Sequence, residues 1–321
     1  MATPDLALDI HDLRKTYQGT KESGPKEALK GVSLRVPRGS VYGLLGPNGA
    51  GKSTLINILA GLVNKSGGNV RIWGFDQDEN PRMSRACIGV VPQELLLDPF
   101  FTPREAIEIQ AGLYGVPKAQ RQTMALLSSL GLADKADAYA RSLSGGMRRR
   151  LLIGKALAHN PPVLILDEPT AGVDIALRRQ LWAFVRELNA GGVTIVLTTH
   201  YLEEAEEMCD RIAIINHGEV IADESKDHLL SRIDRKTVTI TPMTSTAQLA
   251  LPQMPGTTSV LTEAGEIAIT YSRSQTPLGF ILEQVQRSGI EIADVKTQDA
   301  GLEEVFLDLI DGAQTSGQTV G

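Results

Sequence analysis

The chain has 321 residues, of which 42% are hydrophobic and 22% are charged, and its net charge is −6. This composition predicts a globular protein that is long enough for more than one domain. It disfavours a membrane-spanning protein, because the longest uncharged stretch, residues 237–262, is interrupted by prolines and cannot form a membrane helix. It also disfavours a nucleic-acid-binding protein, because the sequence has no basic stripe with interleaved aromatic residues.

The N-terminus and the cysteines indicate a cytosolic chain. The opening residues, MATPDLALDIHDLRKTY, contain no apolar segment of the kind that a signal peptide requires. Cys87 and Cys209 lack the spacing of metal ligands and suit a reducing compartment. We therefore expect a chain that stays in the cytosol and does not span a membrane.

The first predicted strands lead to a glycine-rich loop. They lie at about residues 7–13, 32–36 and 40–45. The third runs into GLLGPNGAGKST, residues 43–54, and a helix is predicted over 53–62. Gly46, Gly49 and Gly51 let the backbone turn tightly, so that successive N–H groups point toward an anion at the helix N-terminus.

The spacing of this loop is that of a phosphate-binding loop. Lys52 would reach the β- and γ-phosphates of a nucleotide, and the Ser53 hydroxyl would be a ligand of Mg²⁺. Kinases, GTPases, helicases and transport ATPases share this loop. It therefore predicts nucleotide binding and leaves open what the nucleotide is used for.

The centre of the chain changes from strand to helix and back. A strand is predicted at about 69–74, and residues 98–142 are predicted to be helical and polar. Strands and helices then alternate, which predicts a parallel sheet that is buried on both faces. The nucleotide-binding core is thus expected to be interrupted by a helical subdomain.

A second anion site is predicted at RSLSGGMRRRLLIGKALA, residues 141–158. Ser144, Gly145 and Gly146 begin a helix and would offer backbone N–H groups and a hydroxyl. Such a site lies too far along the fold to meet the phosphate loop of its own chain, so we expect it to close on the nucleotide of a partner chain. The arginines at 148–150 are interpreted as a solvated helix face.

Two adjacent carboxylates end the apolar run in VLILDEPTAGVD, residues 163–174. A buried strand places Asp167 and Glu168 at its carboxyl end, beside the phosphate loop. Asp167 would hold Mg²⁺ through its water shell. Glu168 would polarise the attacking water.

These motifs, in this order, resemble the ABC ATPase family over roughly residues 6–232. The resemblance implies that Tyr17 stacks on adenine, that Gln93 contacts Mg²⁺ or water, and that His200 contacts the γ-phosphate. It also implies a catalytic role for Asp174, in the family's D-loop. The complete implied nucleotide-binding set is Tyr17, Gly46, Asn48, Gly49, Gly51, Lys52, Ser53, Thr54, Ser144, Gly145 and Gly146, with Ser53, Gln93 and Asp167 around the metal.

One residue departs from the family pattern, and other members of the family remain as alternatives. Met147 stands where glutamine is most common, so a polar contact beside the partner's nucleotide is missing. Soluble DNA-repair types need a long coiled coil between the motifs, but only about 90 residues separate Ser53 from Ser144. Translation-factor types need a second phosphate loop, which we do not find. An ATPase that pulls mechanically on a membrane partner stays open.

The C-terminal residues 237–321 contain three Lys and Arg against ten Asp and Glu, a net charge of −7. Their pattern predicts a small α/β module, and its last helix would have one apolar stripe at Leu302, Val305, Phe306 and Leu309. The module is similar to the C-terminal extension of exporter ATPases of the multidrug, antibiotic-resistance and polysaccharide branch.

The resemblance predicts an α/β fold: a P-loop ATPase core with a mostly parallel sheet and an antiparallel β subdomain, a helical subdomain and a small C-terminal module. The expected domains are 1–232, with the helical subdomain at about 98–145, then 237–312, and a flexible tail at 313–321. The expected activity is ATP hydrolysis with Mg²⁺ on the inner face of the cell membrane.

The expected partners are a separate transmembrane permease and a second ATPase chain, either another copy or a paralogue. Nucleic acid is not expected as a partner. The permease would contact the chain near Gln93 and the segment ELLLDPFFTPRE, residues 94–105. Phe100 and Phe101 would either line that contact or pack inside the helical subdomain.

Overall fold

The computed structural model describes residues 3–19, 24–243, 254–299 and 301–317. The chain divides after Lys226 into two compact units, residues 1–226 and 227–321. Each unit has its own hydrophobic core. Within the described ranges, no helix combines the length and the apolar character that crossing a membrane requires.

The first unit combines strands and helices in alternation. Its strands are β1 (Leu6–Tyr17), β2 (Lys26–Pro37), β3 (Val41–Leu45), β4 (Gly67–Ile72), β5 (Phe75–Asp76), β6 (Ile88–Val91), β7 (Val163–Asp167), β8 (Thr194–Thr198), β9 (Arg211–Asn216) and β10 (Glu219–Ser225). Its helices are α1 (Lys52–Leu59), α2 (Pro81–Ala86), α3 (Pro103–Leu113), α4 (Thr123–Ser129), α5 (Gly145–Leu157), α6 (Ile175–Ala190) and α7 (Leu202–Met208).

The larger sheet of this unit has the strand order β10-β9-β3-β8-β7-β6. The strands from β9 to β6 pair in parallel, and β10 joins β9 as an antiparallel edge. All residues of β3 and β8 are buried, as continuous apolar runs in a doubly covered sheet require. The predicted parallel sheet is therefore confirmed, and the carboxyl ends of β3, β6, β7 and β8 meet at one edge.

A second, antiparallel sheet has the order β2-β1-β4-β5. Side chains from this sheet, from α1 and from the larger sheet form one core, which includes Leu8, Ile10, Leu55, Ile58 and Ile165. Burial of large apolar side chains stabilises such a core by roughly 1.5–3 kcal/mol each. The packing fixes α1, and with it the loop between β3 and α1.

The region predicted to be helical contains α3 and α4, joined by short turns. Thr102 begins α3 with a capping box: its hydroxyl accepts the Glu105 N–H, and the Glu105 carboxylate accepts the Thr102 N–H. Ile107 of α3 and Leu127 of α4 are buried. The subdomain therefore has apolar contacts of its own, in addition to its polar surface.

The second unit contains α8 (Lys226–Ser231), which starts at the boundary, β11 (Arg235–Pro242), β12 (Thr257–Leu261), β13 (Ile267–Ser272), α9 (Leu278–Arg287), β14 (Ile292–Asp299) and α10 (Leu302–Gly317). Its antiparallel sheet has the order β12-β13-β11-β14. Ile281 and Val285 of α9 pack in one core with residues of β11 and β13.

Helix α10 carries the apolar stripe predicted for the tail. Leu302 and Val305 are buried, while the carboxylates of Glu303 and Glu304 are on the exposed side. The helix runs to Gly317, beyond the start of the segment 313–321 for which a flexible tail is expected. Residues 318–321 lie outside the described part of the chain.

Candidate active site

The glycine-rich loop, residues 46–51, connects β3 to α1 and depends on glycine at both of its ends. Gly46 has a φ of 154°, and a Cβ atom there would lie 2.1 Å from the backbone oxygen of Ile215 in β9. Gly51 caps α1 with a φ of 114°, and a Cβ atom there would lie 2.8 Å from the Ala28 oxygen. A side chain at either position would displace the backbone of a neighbouring strand.

The N-terminus of α1 can bind an anion. No side chain caps it and its first turn contains no acidic residue. The Lys52 side chain is buried inside the loop, where its Nζ donates to the backbone oxygens of Gly46, at 2.6 Å, and Pro47, at 3.1 Å. Asn48, Gly49 and Ser53 are exposed around this ammonium group, and Thr54 is half-buried.

These residues fit the phosphates of a nucleotide. Helix N–H groups without an acceptor, a positive dipole and a positioned ammonium group are the features that bind such an anion. Burial lowers the pKa of Lys52, and the charges of Glu168 and Asp167 oppose this shift. The two carboxylates are therefore close enough to the loop to act electrostatically on Lys52.

Asp167 lies at the carboxyl end of β7. Its Oδ1 accepts a hydrogen bond of 2.5 Å from the Thr198 hydroxyl at the end of β8. Burial raises the pKa of the Asp167 carboxyl, while the bond from Thr198 and the charge of Lys52 oppose this shift. A divalent cation at this position would offset the cost of the buried charge.

The Glu168 cluster consists of Gln93, Glu168 and His200. Glu168 Oε2 is 3.0 Å from Gln93 Nε2, which donates to it, and 3.1 Å from His200 Nδ1. Gln93 follows β6 and His200 follows β8, so three neighbouring strand ends supply the three side chains. The carboxylate is thus held between two groups that fix its direction.

The backbone of Glu168 contributes to the same geometry. Its N–H lies 3.1 Å from both the hydroxyl and the carbonyl oxygen of Thr198. Its φ is 46°, in the left-handed region that non-glycine residues seldom adopt. The strand therefore turns sharply at Glu168, immediately after Asp167.

The residues implied for Mg²⁺ fit an ion that also has ligands from its substrate. Ser53 is exposed at the loop and Asp167 is half-buried, while the Gln93 amide nitrogen is occupied by Glu168. Among the described residues, no group of three His, Cys, Asp or Glu side chains has the arrangement of a self-sufficient metal site. Mg²⁺ characteristically combines one or two protein ligands with phosphate oxygens and water.

A separate cavity of about 550 Å³, here called the Ser144 cavity, lies at the start of α5. Ser144 caps the helix, since its Oγ accepts the Met147 N–H at 3.3 Å. A Cβ atom on Gly145 would meet nothing within 4 Å, whereas one on Gly146 would lie 2.2 Å from Leu177 of α6. Gly145 therefore leaves space at the helix end, and Gly146 allows α5 and α6 to pack closely.

Asp174 and Met147 also line the Ser144 cavity. The Asp174 carboxylate caps α6 by accepting the Leu177 N–H at 2.9 Å. The described residues that line this cavity include no member of the phosphate loop or of the Glu168 cluster. The chain thus brings Gln93, Glu168 and His200 together, but it places Asp174 with Ser144, Gly145 and Gly146 in a different region.

Tyr17 lies at the last position of β1, where its side chain is 38% exposed. The Lys15 ammonium group lies 4.8 Å from the centre of its ring. Stacking on adenine remains a prediction.

The interpretation of residues 148–150 as a solvated helix face is wrong. Arg149 is 5% exposed, and its Nη1 donates to the backbone oxygens of Pro92, at 3.2 Å, and Gln93, at 2.8 Å. Arg150 Nη1 donates to the Leu130 oxygen at the end of α4. Both guanidinium groups bind carbonyl oxygens, so they hold α5 against neighbouring segments instead of facing solvent.

Sequence periodicity contains a signal for Arg149. It lies four residues before Ile153 and seven before Ala156, and both are buried on α5. This spacing places all three on one helix face. Burial also lowers the pKa of Arg149. The arginine that sequence reasoning overlooked therefore connects the helix of the Ser144 cavity to the backbone of Gln93.

The segment 94–105 exposes several large apolar side chains to solvent. Phe100 is 68% exposed and Leu96 is 66% exposed, while Phe101 is 39% exposed. The Arg141 guanidinium lies 5.9 Å from the centre of the Phe100 ring. Phe100 therefore does not pack inside the helical subdomain, whereas both alternatives remain for the more buried Phe101.

Comparison with known proteins identifies relatives of the whole chain. The profile of the family described as ABC transporter matches residues 29–171. The linearmycin resistance ATP-binding protein LnrL of Bacillus subtilis is 34% identical over 309 residues, which cover 94% of this chain and 97% of the relative. The daunorubicin resistance ATP-binding protein DrrA3 of Streptomyces coeruleorubidus is 37% identical over 95% of this chain and 96% of its own length.

A solved structure matches the larger share of the chain. The dimeric, post-hydrolysis structure of the ATP-binding cassette MJ0796 bound to ADP and Pi superposes with a TM-score of 0.61 and 29% sequence identity. The match covers 68% of this chain and 98% of the cassette.

Proposed function

The chain belongs to the ABC transporter family of ATP-binding proteins and is an ATPase, and we propose that it drives a separate membrane permease that exports its solute. One observation carries the assignment of the catalytic residues: the Glu168 carboxylate is held by Gln93 and His200 at the same sheet edge as the phosphate loop. This arrangement supports the proposal that Glu168 acts as the general base next to the position where Lys52 would hold phosphates.

In this proposal, one group of residues binds the nucleotide and a second group then activates the attacking water. Lys52 and the N–H groups of α1 bind the phosphates, and Tyr17 stacks on the adenine. Ser53, Gln93 and Asp167 would hold Mg²⁺, and the ion would supply positive charge that neutralises the phosphates. Glu168 takes a proton from the attacking water while Gln93 and His200 keep its carboxylate in place. General-base action of this kind accelerates a reaction by about 10²–10⁴-fold.

Two chains act together in this proposal. The Ser144 cavity offers a helix N-terminus and a hydroxyl, and its carboxylate, Asp174, already caps α6, whereas the Glu168 cluster supplies the general base beside the phosphate loop. A second copy or a paralogous chain would bring its Ser144 cavity onto the nucleotide held by the first. Asp174, which lines that cavity, would then lie at the junction between the chains. MJ0796, the structural relative, is dimeric.

The permease contact is assigned to residues 94–105. This segment combines the exposed apolar side chains of Leu96 and Phe100 with a position directly after Gln93. An apolar segment on the surface is a feature of docking sites. Binding there would hold the chain on the inner face of the membrane and would link the permease to the Glu168 cluster.

Export is the direction favoured by the relatives. LnrL and DrrA3 are named for resistance to linearmycin and daunorubicin, and their similarity to this chain extends through its C-terminal residues. Within our proposal, residues 1–232 form the nucleotide-binding domain. Residues 237–312 form an accessory module that supports pairing.

The catalytic assignment can be tested with three variants of the full chain. Glu168→Gln is expected to keep ATP binding, lose about 10²–10⁴-fold in turnover and form dimers with MgATP on gel filtration. His200→Ala is expected to bind ATP and lose turnover, whereas Lys52→Ala loses binding. Equal loss of binding in the histidine and lysine variants would contradict the assigned roles.

The coupling to a permease needs its own measurement. Co-expression with the membrane protein encoded beside this chain should yield a complex whose ATPase activity drives solute flux in vesicles. A complex that hydrolyses ATP without flux would favour the mechanical role. A chain that never associates with a membrane protein would contradict both.

A further inference from the structure

Glu204 is a buried carboxylate that the mechanism does not use. It lies on α7 with 4% of its surface exposed. Its Oε2 accepts hydrogen bonds from the hydroxyls of Thr170, at 2.7 Å, and Thr199, at 3.1 Å. Acidic side chains are seldom this deeply buried unless a partner compensates their charge.

The compensating charge comes from Arg178 on α6. Its Nε lies 3.2 Å from Glu204 Oε1, and neither atom has a partner with hydrogen-bond geometry among the described residues. The guanidinium group also lies 5.2 Å from the centre of the Tyr201 ring. The pair is therefore held by charge and packing, and Glu204 joins α7 to α6.

Each of the three partners of Glu204 lies next to a functional residue. Thr170 follows Glu168 by two residues. Thr199 precedes His200, and its hydroxyl also accepts the Tyr201 N–H at 3.0 Å, so its bonds span the histidine. The backbone N–H of Arg178 donates to the backbone oxygen of Asp174 at 2.9 Å, in the first turn of α6. Asp174 itself lines the Ser144 cavity.

The ring of His200 is held by the same group of contacts. It lies 4.0 Å from the Tyr201 ring, centre to centre, and its Nδ1 lies 3.1 Å from Glu168. A short loop after a strand is mobile unless side-chain bonds fix it. Here the Thr199 hydroxyl connects both the residue before His200 and the N–H of the residue after it to the Glu204 carboxylate.

We propose that Glu204 is a positioning residue, paired with Arg178, that holds His200 and the Asp174 turn in fixed positions relative to Glu168. The proposal rests on the functions assigned above to Glu168 and His200. It has a mechanical consequence: a second chain that displaces Asp174 at the Ser144 cavity would act through Arg178 and Glu204 on the histidine beside the catalytic carboxylate.

The test uses the full chain with Glu204→Gln, which keeps the size and one oxygen acceptor but removes the charge. We expect kcat for ATP to fall about tenfold while KM stays within about twofold, because the phosphate loop is untouched. The chain contains five histidines, so the ring signal of His200 can be assigned by NMR with a His200→Gln variant. That signal is expected to shift or broaden in Glu204→Gln without nucleotide.

A matched control is available on the same two helices. Arg186 of α6 and Glu207 of α7 form an ion pair of 2.5 Å, with side chains that are 52% and 63% exposed. Glu207→Gln removes the same charge from the same helix without contact to Thr170 or Thr199. It should leave kcat, KM and the His200 signal as in the unmodified chain.

A second variant separates positioning from general instability. Thr199→Val removes only the hydroxyl between Glu204 and the histidine loop, and Thr199→Ser restores it. The valine variant should shift the His200 signal and lower kcat, and the serine variant should recover both. An unchanged His200 signal in both Glu204→Gln and Thr199→Val would overturn the proposal. Equal effects in Glu204→Gln and Glu207→Gln would also overturn it.

The two measurements keep the proposals apart. The histidine signal reports the position of His200 without any turnover, so it tests Glu204 even if His200 proves to have no part in hydrolysis. Suppose that the His200 signal shifts in Glu204→Gln and that kcat is unchanged in His200→Ala. This result would contradict the catalytic assignment of His200 and would retain the positioning role of Glu204.

Discussion

The Glu168 cluster and the Ser144 cavity belong to one folded unit but are built differently. In the cluster, side chains from three strand ends bond to one another, and the carboxylate has two partners within 3.1 Å. The cavity has about 550 Å³ of open space, and two of its polar side chains, Ser144 and Asp174, cap α5 and α6. Under the proposed function, the first region would carry out the reaction and the second would bind the nucleotide of a partner chain.

This difference suits the two regions to different roles, catalysis in one and electrostatic binding in the other. A preorganised base is effective only where its substrate is already held, and the phosphate loop supplies that position. A helix N-terminus beside open space contributes electrostatic attraction without chemistry. In the proposed function, one chain carries a catalytic half and a receiving half, and a pair of chains would join the catalytic half of one to the receiving half of the other.

The largest expected effect comes from placing charge in the receiving half. Gly145→Asp meets no steric obstacle, since a Cβ atom there has nothing within 4 Å. We expect ATPase activity to fall about 100-fold, because the carboxylate repels phosphate at a site that stabilises charge. The Glu168 cluster and ATP binding by the single chain should be unaffected, as measured by titration with a fluorescent ATP analogue.

The control is Gly145→Asn, which has the same size without the charge. If both variants lose activity equally, bulk and not charge is responsible. If Gly145→Asp retains full activity, the Ser144 cavity does not face a nucleotide and the comparison of the two halves fails.

A smaller effect is expected from loosening the connection between the halves. Arg149→Met removes the two bonds from α5 to the oxygens of Pro92 and Gln93. Gln93 then supports Glu168 less well, and we expect kcat to fall by about tenfold, since small displacements of catalytic groups have effects of this size or larger. Steady-state kinetics at saturating ATP measures it.

Arg150→Met is the matched variant, because Arg150 is adjacent and bonds a carbonyl of α4 instead of the Gln93 segment. Both arginines line the Ser144 cavity, so a loss shared by the two variants would come from the cavity, and we expect turnover to fall less in Arg150→Met than in Arg149→Met. A larger loss of turnover in Arg150→Met than in Arg149→Met would show that α5 supports the catalytic half by another route.

The smallest expected effect concerns pH and the attachment of the helical subdomain. His159 stacks on Tyr114 at 3.6 Å between ring centres, and its Nε2 contacts the Ile88 oxygen at 3.1 Å, which leaves Nδ1 buried without a partner. Burial lowers the pKa of His159 below its ordinary value of 6.5, and the Ile88 bond opposes this shift. Below about pH 6.5 the unfolded chain therefore binds this proton more readily, so stability falls.

Lowering the pH from 7 to 5.5 should reduce the melting temperature of the unmodified chain by about 1–2 °C more than that of His159→Phe, which keeps the ring stack. The ring is partly exposed, and solvent screening keeps the difference small. Identical pH dependence of the melting temperature in the two chains would show that protonation of His159 does not lower the stability of the fold.

The catalytic half was largely predictable from sequence, because its residues lie where strands end. An apolar run that ends in Asp167 and Glu168 places two carboxylates at the carboxyl edge of the sheet, and the loop that ends in Lys52 follows a neighbouring strand. The parallel sheet, the helical segment and the order of strands and helices in the C-terminal unit follow from similar local patterns.

The supporting contacts were less accessible to sequence reasoning. Arg149 and Glu204 are charged residues on helices, where solvent exposure is the usual expectation. Their burial depends on carbonyl and hydroxyl groups that are distant in sequence, which periodicity alone does not reveal. The sequence also leaves open that Asp174 lies with Ser144 within one chain, since this depends on how α6 packs against α5.

The left-handed backbone at Glu168 has a thermodynamic consequence. A non-glycine residue in this conformation loses roughly 1–2 kcal/mol relative to the ordinary helical region, and folding has to offset that amount elsewhere in the unit. The turn aims the carboxylate away from the strand direction, toward Gln93 and His200. The conformation of Glu168 therefore lowers the stability of the fold and at the same time sets the direction of its carboxylate. Glycine would adopt this backbone conformation at lower cost, so selection for heat resistance alone would favour it there.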